Sequence, residues 1–354
     1  MCGHTFPLHQ RFRKSKAKHY CPYCYHVLFK WKHRTDVTIY KCSNKRCPLR
    51  LEKLKKLTPA EKLIRQMAPN HFKIHYLYKE YHFTPQQLKH SEPTTPRKSR
   101  VDIFKIHHTD HILGLILTFY ISFALSARKT ALVLRMVFNI EVSHQTVLNY
   151  TQAVAYYAHQ FNMTHKGPID DISVGDETYI KIGGEQNYVW FCLSASKRTI
   201  TAYHLADDRE TRSAVTTLKE AFSTASHGQE LTFISDGLGS YTEAIHFLNS
   251  NRKHNKIKHI QVIGLKDKDE VSEQYRSFKQ LIERFNRTYK HHVKPAVGFN
   301  SFDGAMALTV LFVTYYNFLR PHMSLDYRTP IQIHQLDGIN TIQARWVKLL
   351  SMMY

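Results

Sequence analysis

A chain of 354 residues, 43% hydrophobic and 22% charged, has length for two or three folding units and too much apolar content to be disordered. Its net charge of +22 is lopsided: residues 1–100 carry 23 Lys/Arg against five Asp/Glu, whereas residues 101–354 carry 27 against 23. A basic front end on a nearly neutral body points to a polyanion, most commonly nucleic acid, and the absence of a long basic amphipathic helix argues against a membrane surface.

In chain order, the start "MCGHTFPLHQ" lacks the apolar core of a signal peptide, so a cytoplasmic protein is expected. Five of the six cysteines fall within the first 47 residues. Cys21, Cys24, Cys42 and Cys47 form a C-x2-C-x17-C-x4-C pattern, two knuckles able to offer four thiolates to one tetrahedral Zn²⁺. Disulfides are disfavoured in a cytoplasmic chain, and a redox pair lacks its βαβ context. A zinc module would display Lys41, Lys45, Arg46 and Arg50 to phosphates.

Residues 51–100 contain a helical piece, "TPAEKLIRQM", and end in "HSEPTTPRKSR", a linker by composition. The longest apolar run, Ile112 to Ser126, is too short and too polar to span a bilayer and reads as a buried helix, so no membrane association is expected. Residues 127–157 hold two helical patterns separated at Asn139–Val142, with Ser143 as N-cap of the second. As a helix-turn-helix, this pair would offer Ser143, His144, Gln145, Thr146 and Asn149 to base edges; as a plain hairpin, it would pack on the body.

From Ile172 the texture becomes β. Three strand-like runs ("ISVGDETYIKI", "NYVWFCLSA", "RTITAYHLA") precede a helix, a strand "LTFISD", a helix, a strand "HIQVIGL" and an amphipathic helix over Tyr275–Tyr289. That order describes a mixed five-stranded α/β sheet with helices on its faces. Strand alternation places Asp176 with Ile172, Val174, Thr178 and Ile180, and Glu177 with Ser173, Tyr179 and Lys181. An acid among apolar neighbours needs a cationic partner, so Asp176 is the stronger candidate. Asp236 closes the next strand, where α/β sheets bind ligands, although an N-cap role would also explain it. Glu283 lies at the edge of the helical stripe Phe278, Leu281, Ile282, Phe285 and Tyr289; its rivals Glu270 and Glu273 sit in the charged segment Lys266–Gln274. Three converging carboxylates are what two Mg²⁺ (or Mn²⁺) ions require.

These stretches resemble the DDE domain of bacterial and archaeal insertion-sequence transposases. "DETYIKIGGEQNYVWFCLSASKRTITAYHL", "ISDG", "LIERFNRTYKHHVKPAVGFNSFDGA" and "YYNFLRPHMSLDYRTP" are similar to the family's catalytic strands, glutamate helix and closing signature, over about residues 170–332. The resemblance implies a ribonuclease-H-like core preceded by a zinc ribbon and a helix-turn-helix region. It divides the chain into a ribbon (1–57), a helical DNA-binding region (58–165), the catalytic domain (166–335) and a helical tail (336–354). It carries the triad onto Asp176, Asp236 and Glu283, the last two separated by 46 residues, a longer gap than is usual. It further implies metal-dependent cleavage and strand transfer on double-stranded DNA, at element ends and target, by a homodimer or larger assembly. Arg287, Lys290 and Lys294 would reach the DNA backbone, and Arg320 and His322 would either orient the catalytic helix or touch DNA. The alternative is an inactive or repurposed transposase acting as a DNA-binding protein.

Overall fold

The computed structural model describes residues 17–67, 72–84, 93–252, 254–262 and 270–353. Two compact units divide the chain, residues 1–85 and 86–354. In the first, strands β1 (Leu28–His33), β2 (Val37–Cys42) and β3 (Leu77–Tyr81) form an antiparallel sheet in that order. Helix α1 (Pro48–Lys55) starts with a proline whose missing N–H costs nothing at that position. Helix α2 (Pro59–Met67) opens with a capping box: the Thr58 N–H donates to Glu61 Oε2 at 2.7 Å and the Glu61 N–H to Thr58 Oγ1 at 3.3 Å. Neither helix buries a residue completely. The unit's interior is therefore Cys21, Cys42 and Cys47 with a few apolar side chains such as Leu28, Val37 and Ile39.

The second unit opens with α3 (Asp110–Leu117), extended by a π turn over Thr118–Ser122, then α4 (Ala127–Phe138) and α5 (His144–Thr164). Asn139 ends α4 in the left-handed conformation, and the Ser143 side chain accepts from the Thr146 N–H to start α5. Strands β4 (Ile172–Ile182), β5 (Glu185–Ser194) and β6 (Ile200–Ala206) run antiparallel. Gly183 and Gly184, both at positive φ, make the two-residue β4–β5 turn. Then follow α6 (Thr211–Ala221), β7 (Leu231–Ser235), α7 (Gly239–Ser250), β8 (Ile257–Gln261), α8 (Glu270–Val293), α9 (Phe302–Thr314) with a π extension Tyr315–Leu319, and α10 (Ile342–Met353).

The sheet order is β6-β5-β4-β7-β8, with β7 and β8 parallel to β4. This is the mixed five-stranded sheet expected, and β4 is its central strand. Both of its faces are covered. Phe285 and Tyr289 of α8 pack on Phe191 of β5, whereas Tyr241 of α7 packs on Trp190. Gly175 leaves room for the Phe233 ring of β7, which a Cβ there would strike. Residues Phe302–Leu319 are long and apolar enough to cross a membrane, but 78% of that window is buried in the protein, as suits a core helix.

The units differ from the four segments expected, for identifiable reasons. Strand β3 pairs with β2 from Val37↔Tyr81 to Lys41↔Leu77, which ties residues 77–81 to the ribbon. Helix α5 belongs to the core of the second unit: Asn162 Nδ2 donates to the Val310 carbonyl at 3.3 Å, and Thr314 Oγ1 donates to Asn162 Oδ1 at 3.0 Å. The tail is core as well, with Trp346 Nε1 donating to Ser122 Oγ at 2.9 Å. The composition-based linker is docked where it is described: the Thr94 hydroxyl donates to the Leu205 carbonyl at 2.7 Å, and its N–H donates to His204 Nδ1 at 3.1 Å.

Candidate active site

Parallel pairing of β4 with β7 spans only Ile172↔Thr232 to Val174↔Ile234. Beyond it the two strands separate, and the crevice between them receives Asp176 from β4 and Asp236 from the residue after β7. Crevices at the carboxyl ends of parallel strands are where open α/β sheets bind ligands. Oxygens of Asp176, Asp236 and Glu177 lie within 4.8 Å of one another. Asp236 Oδ1 accepts from the Leu238 N–H at 2.8 Å, a turn bond, so this acid is held just ahead of α7 rather than at its N-cap.

Helix α8 supplies the third side. Its apolar stripe of Leu281, Ile282, Phe285 and Tyr289 enters the core. Lys279, Glu283, Asn286 and Lys290 recur at spacings of four, three and four, a neighbouring stripe that runs along the crevice. Asn286 Nδ2 donates to Asp176 Oδ2 at 2.8 Å, and the Lys290 ammonium lies 4.5 Å from the Tyr179 ring centroid. Glu283 is half-buried and near enough for its charge to act on Asp176. Of the rivals, Glu273 is exposed, and the side chain of Glu270 lies outside the described residues.

Burial first, then the charges of Asp236 and Glu283, push the Asp176 carboxyl up to about 7, while Lys279 and the Asn286 hydrogen bond pull the other way. A carboxylate held this far above its ordinary range is short of positive charge. Hard oxygen donors converging on one point suit a divalent cation of the Mg²⁺ type.

Glu177 leaves the face of β4 opposite Asp176, as alternation places it. Its side chain, however, is only 4% exposed and pairs with Arg209 rather than Lys181. On the same face Tyr179 and Lys181 are exposed, so the burial of Glu177 is local and comes with its pairing to Arg209. Asn286 and Lys279 were also missed, although their offsets of three and four from Glu283 were present in the sequence.

The four ribbon cysteines form a second centre. Their sulfurs all lie within 4.8 Å of one another, with Cys21–Cys47 at 3.9 Å and Cys24–Cys42 at 3.5 Å. Disulfide bonding needs about 2.05 Å, whereas four thiolates about 2.3 Å from one zinc ion stand about 3.8 Å apart. Burial pushes the Cys42 thiol up to about 12. Burial would also raise Cys24, but hydrogen bonds from the His26 backbone, Asn44 and the neighbouring cysteines outweigh it and bring that thiol to about 6. The set fits Zn²⁺.

Ser143, His144 and Gln145 are exposed at the start of α5, with Asn149 half-buried one turn on; Gln145 Nε2 donates to Asn149 Oδ1 at 2.8 Å. Asn149 and Gln152 line an open cleft with Arg97, Lys98 and Arg100. Arg287 and Lys290 are exposed on α8. The closing signature is built into the scaffold. Asn317 exchanges two hydrogen bonds with the Ile200 backbone at 2.9 and 3.0 Å, at the start of edge strand β6. Arg320 and His322 flank the Tyr316 ring, which packs on Phe285 of α8 at 5.2 Å between centroids.

Residues 172–303 match a family model described as a DDE domain. No curated protein matches the chain. Among solved structures, the chain is similar to a simian T-cell lymphotropic virus intasome in complex with PP2A regulatory subunit B56 gamma, at 14% identity and TM-score 0.32 over 50% of this chain and 58% of that one. It is also similar to the HTLV-2 integrase catalytic core domain in complex with magnesium. In the trimeric form identity is 15% and TM-score 0.29 over 47% of this chain and 97% of that one; in the dimeric form they are 17% and 0.29 over 48% and 99%. The matched span contains Asp176 on the central strand, Asp236 just after β7 and Glu283 on α8, with the sheet in the order β6-β5-β4-β7-β8. Residues 172–303 are a DDE domain, built on a mixed five-stranded sheet of ribonuclease-H-like order.

Proposed function

We propose that Asp176, Asp236 and Glu283 are the catalytic carboxylates, holding two Mg²⁺ or Mn²⁺ ions for cleavage and strand transfer at the ends of a mobile element. The convergence of Asp176 and Asp236 in one crevice beside α8 carries this reading. When bound, divalent ions at such a site activate the attacking oxygen and stabilise the leaving one. The chain's part is preorganisation: Asn286 fixes the Asp176 carboxylate, the Leu238 N–H fixes that of Asp236, and the packing of Tyr316 on Phe285 sets the height of α8. The complete acid set makes a purely DNA-binding role the weaker reading. Nicking of duplex DNA bearing the element's ends is expected with Mg²⁺ or Mn²⁺ and none in EDTA; nicking that persists in EDTA would refute a metal-dependent site.

Duplex DNA is the partner that suits the charge. Ser143, His144, Gln145 and Asn149 would meet base edges, while Arg287 and Lys290 would hold the backbone beside the crevice. Arg97, Lys98 and Arg100 extend the basic surface next to Asn149. Arg97→Ala and Arg100→Ala are expected to weaken binding equally across DNA sequences, each lowering the slope of log affinity against log salt by about 1. A slope unchanged in filter binding or anisotropy would remove these residues from the DNA path. Joining two ends requires two active sites, which favours a homodimer or larger assembly acting in the cytoplasm on the nucleoid.

The ribbon is proposed as a structural zinc module. Purified protein is expected to hold roughly one zinc ion per chain, and Cys42→Ser to hold none and to lose protease protection over residues 17–67, since the unit has little core otherwise. A zinc-free wild type, or undiminished zinc in Cys42→Ser, would exclude it.

A further inference from the structure

Glu177 has no part in the triad, yet it is the carboxylate that lies in one cluster with Asp176 and Asp236. It reaches them although it leaves the opposite face of β4, because the pairing with β7 has ended by Val174 and that edge of the strand is open. Its side chain is 4% exposed. Oε1 is paired with the Arg209 guanidinium, while Oε2 is buried without a hydrogen-bond partner. A buried carboxylate oxygen without a donor costs free energy unless something positive reaches it.

Arg209 is itself anchored. It follows β6, its backbone carbonyl accepts from Ser240 Oγ, and its guanidinium lies 5.5 Å from the Tyr188 ring centroid. It can therefore hold Glu177 by one oxygen and leave the other for a ligand. We infer that Glu177 is a further carboxylate of the divalent-ion site, with Arg209 as its positioning residue. The inference rests on the metal-site reading above and adds a residue to it. The arrangement supplies a cation with three clustered carboxylates before Glu283 takes part.

The test is Mn²⁺ binding to the full chain without DNA, read by the electron paramagnetic resonance of free Mn²⁺. Glu177→Gln alone would be ambiguous, because it leaves the Arg209 charge uncompensated beside the site. The double variant Glu177→Gln/Arg209→Gln keeps the net charge and a near-native shape. Its affinity is expected to stay about tenfold or more below wild type, the scale of a lost metal-site group. Affinity within about twofold of wild type would reduce Glu177 to a counter-ion of Arg209 and overturn the inference. Asp236→Asn separates the two levels of the argument. If it abolishes binding and the double variant does not, only the role of Glu177 fails; if wild type binds no Mn²⁺, the metal-site reading and this inference fail together.

Discussion

Asp176→Ala and Asp236→Ala are each expected to lower DNA strand cleavage by roughly a thousandfold or more, because on the proposed reading each would remove a carboxylate of the metal site. Neither residue is part of the basic surfaces, so binding to the element's ends should change little. Removing one negative charge from the crevice should, if anything, tighten non-specific DNA association. Single-turnover cleavage measured beside anisotropy on the same duplex reads both quantities. Proportional loss of binding and cleavage would mean that these acids support the fold rather than the reaction.

The second large effect concerns stability without metal. Asp176→Asn is expected to make the metal-free protein more stable at pH 8. The Asp176 carboxyl is raised from 3.8 to about 7 in the folded protein, by burial and by its acidic neighbours. Its contribution is intact below pH 3.8, where folded and unfolded chains are both protonated. As pH rises the unfolded chain releases this proton first, and stability falls until the folded carboxyl has titrated near pH 7. The loss is then on the order of 4 kcal/mol. Asparagine keeps the size and carries no charge to bury, so this dependence disappears in the variant. Urea unfolding in EDTA at pH 5 and pH 8 measures it: the advantage of the variant should grow between the two values, and parallel curves would contradict it. Added Mg²⁺ should then stabilise wild type and leave the variant nearly unchanged.

Much of the core was legible because its elements are local. The span of β4, the turn at Gly183–Gly184, the Ser143 cap and the cysteine spacing all rest on neighbours in sequence. Alternation put Glu177 on the face that also carries exposed Tyr179 and Lys181, but could not show that Arg209 covers that face at Glu177. The pairing of Glu177 with Arg209 joins residues 32 positions apart, from β4 to the segment after β6, which no local pattern encodes. Strand β3, "LYKEY", is polar and short, and only pairing with β2 makes it a strand. The docking of Thr94 on β6 depends on single hydrogen bonds that a Pro- and Ser-bearing composition conceals. Helix α8 was legible in its apolar stripe, but its functional stripe emerges only once Asp176 is placed opposite Asn286.

The central claim is that Glu283 completes one site with Asp176 and Asp236. It is tested most directly by comparing Glu283→Ala with Glu273→Ala in Mg²⁺-dependent nicking of duplex DNA bearing the element's ends. Glu283→Ala is predicted to bind that DNA and leave it uncut, whereas Glu273→Ala, altered at an exposed position ten residues earlier, cuts at the wild-type rate. Cleavage retained in Glu283→Ala together with its loss in Glu273→Ala would contradict the account.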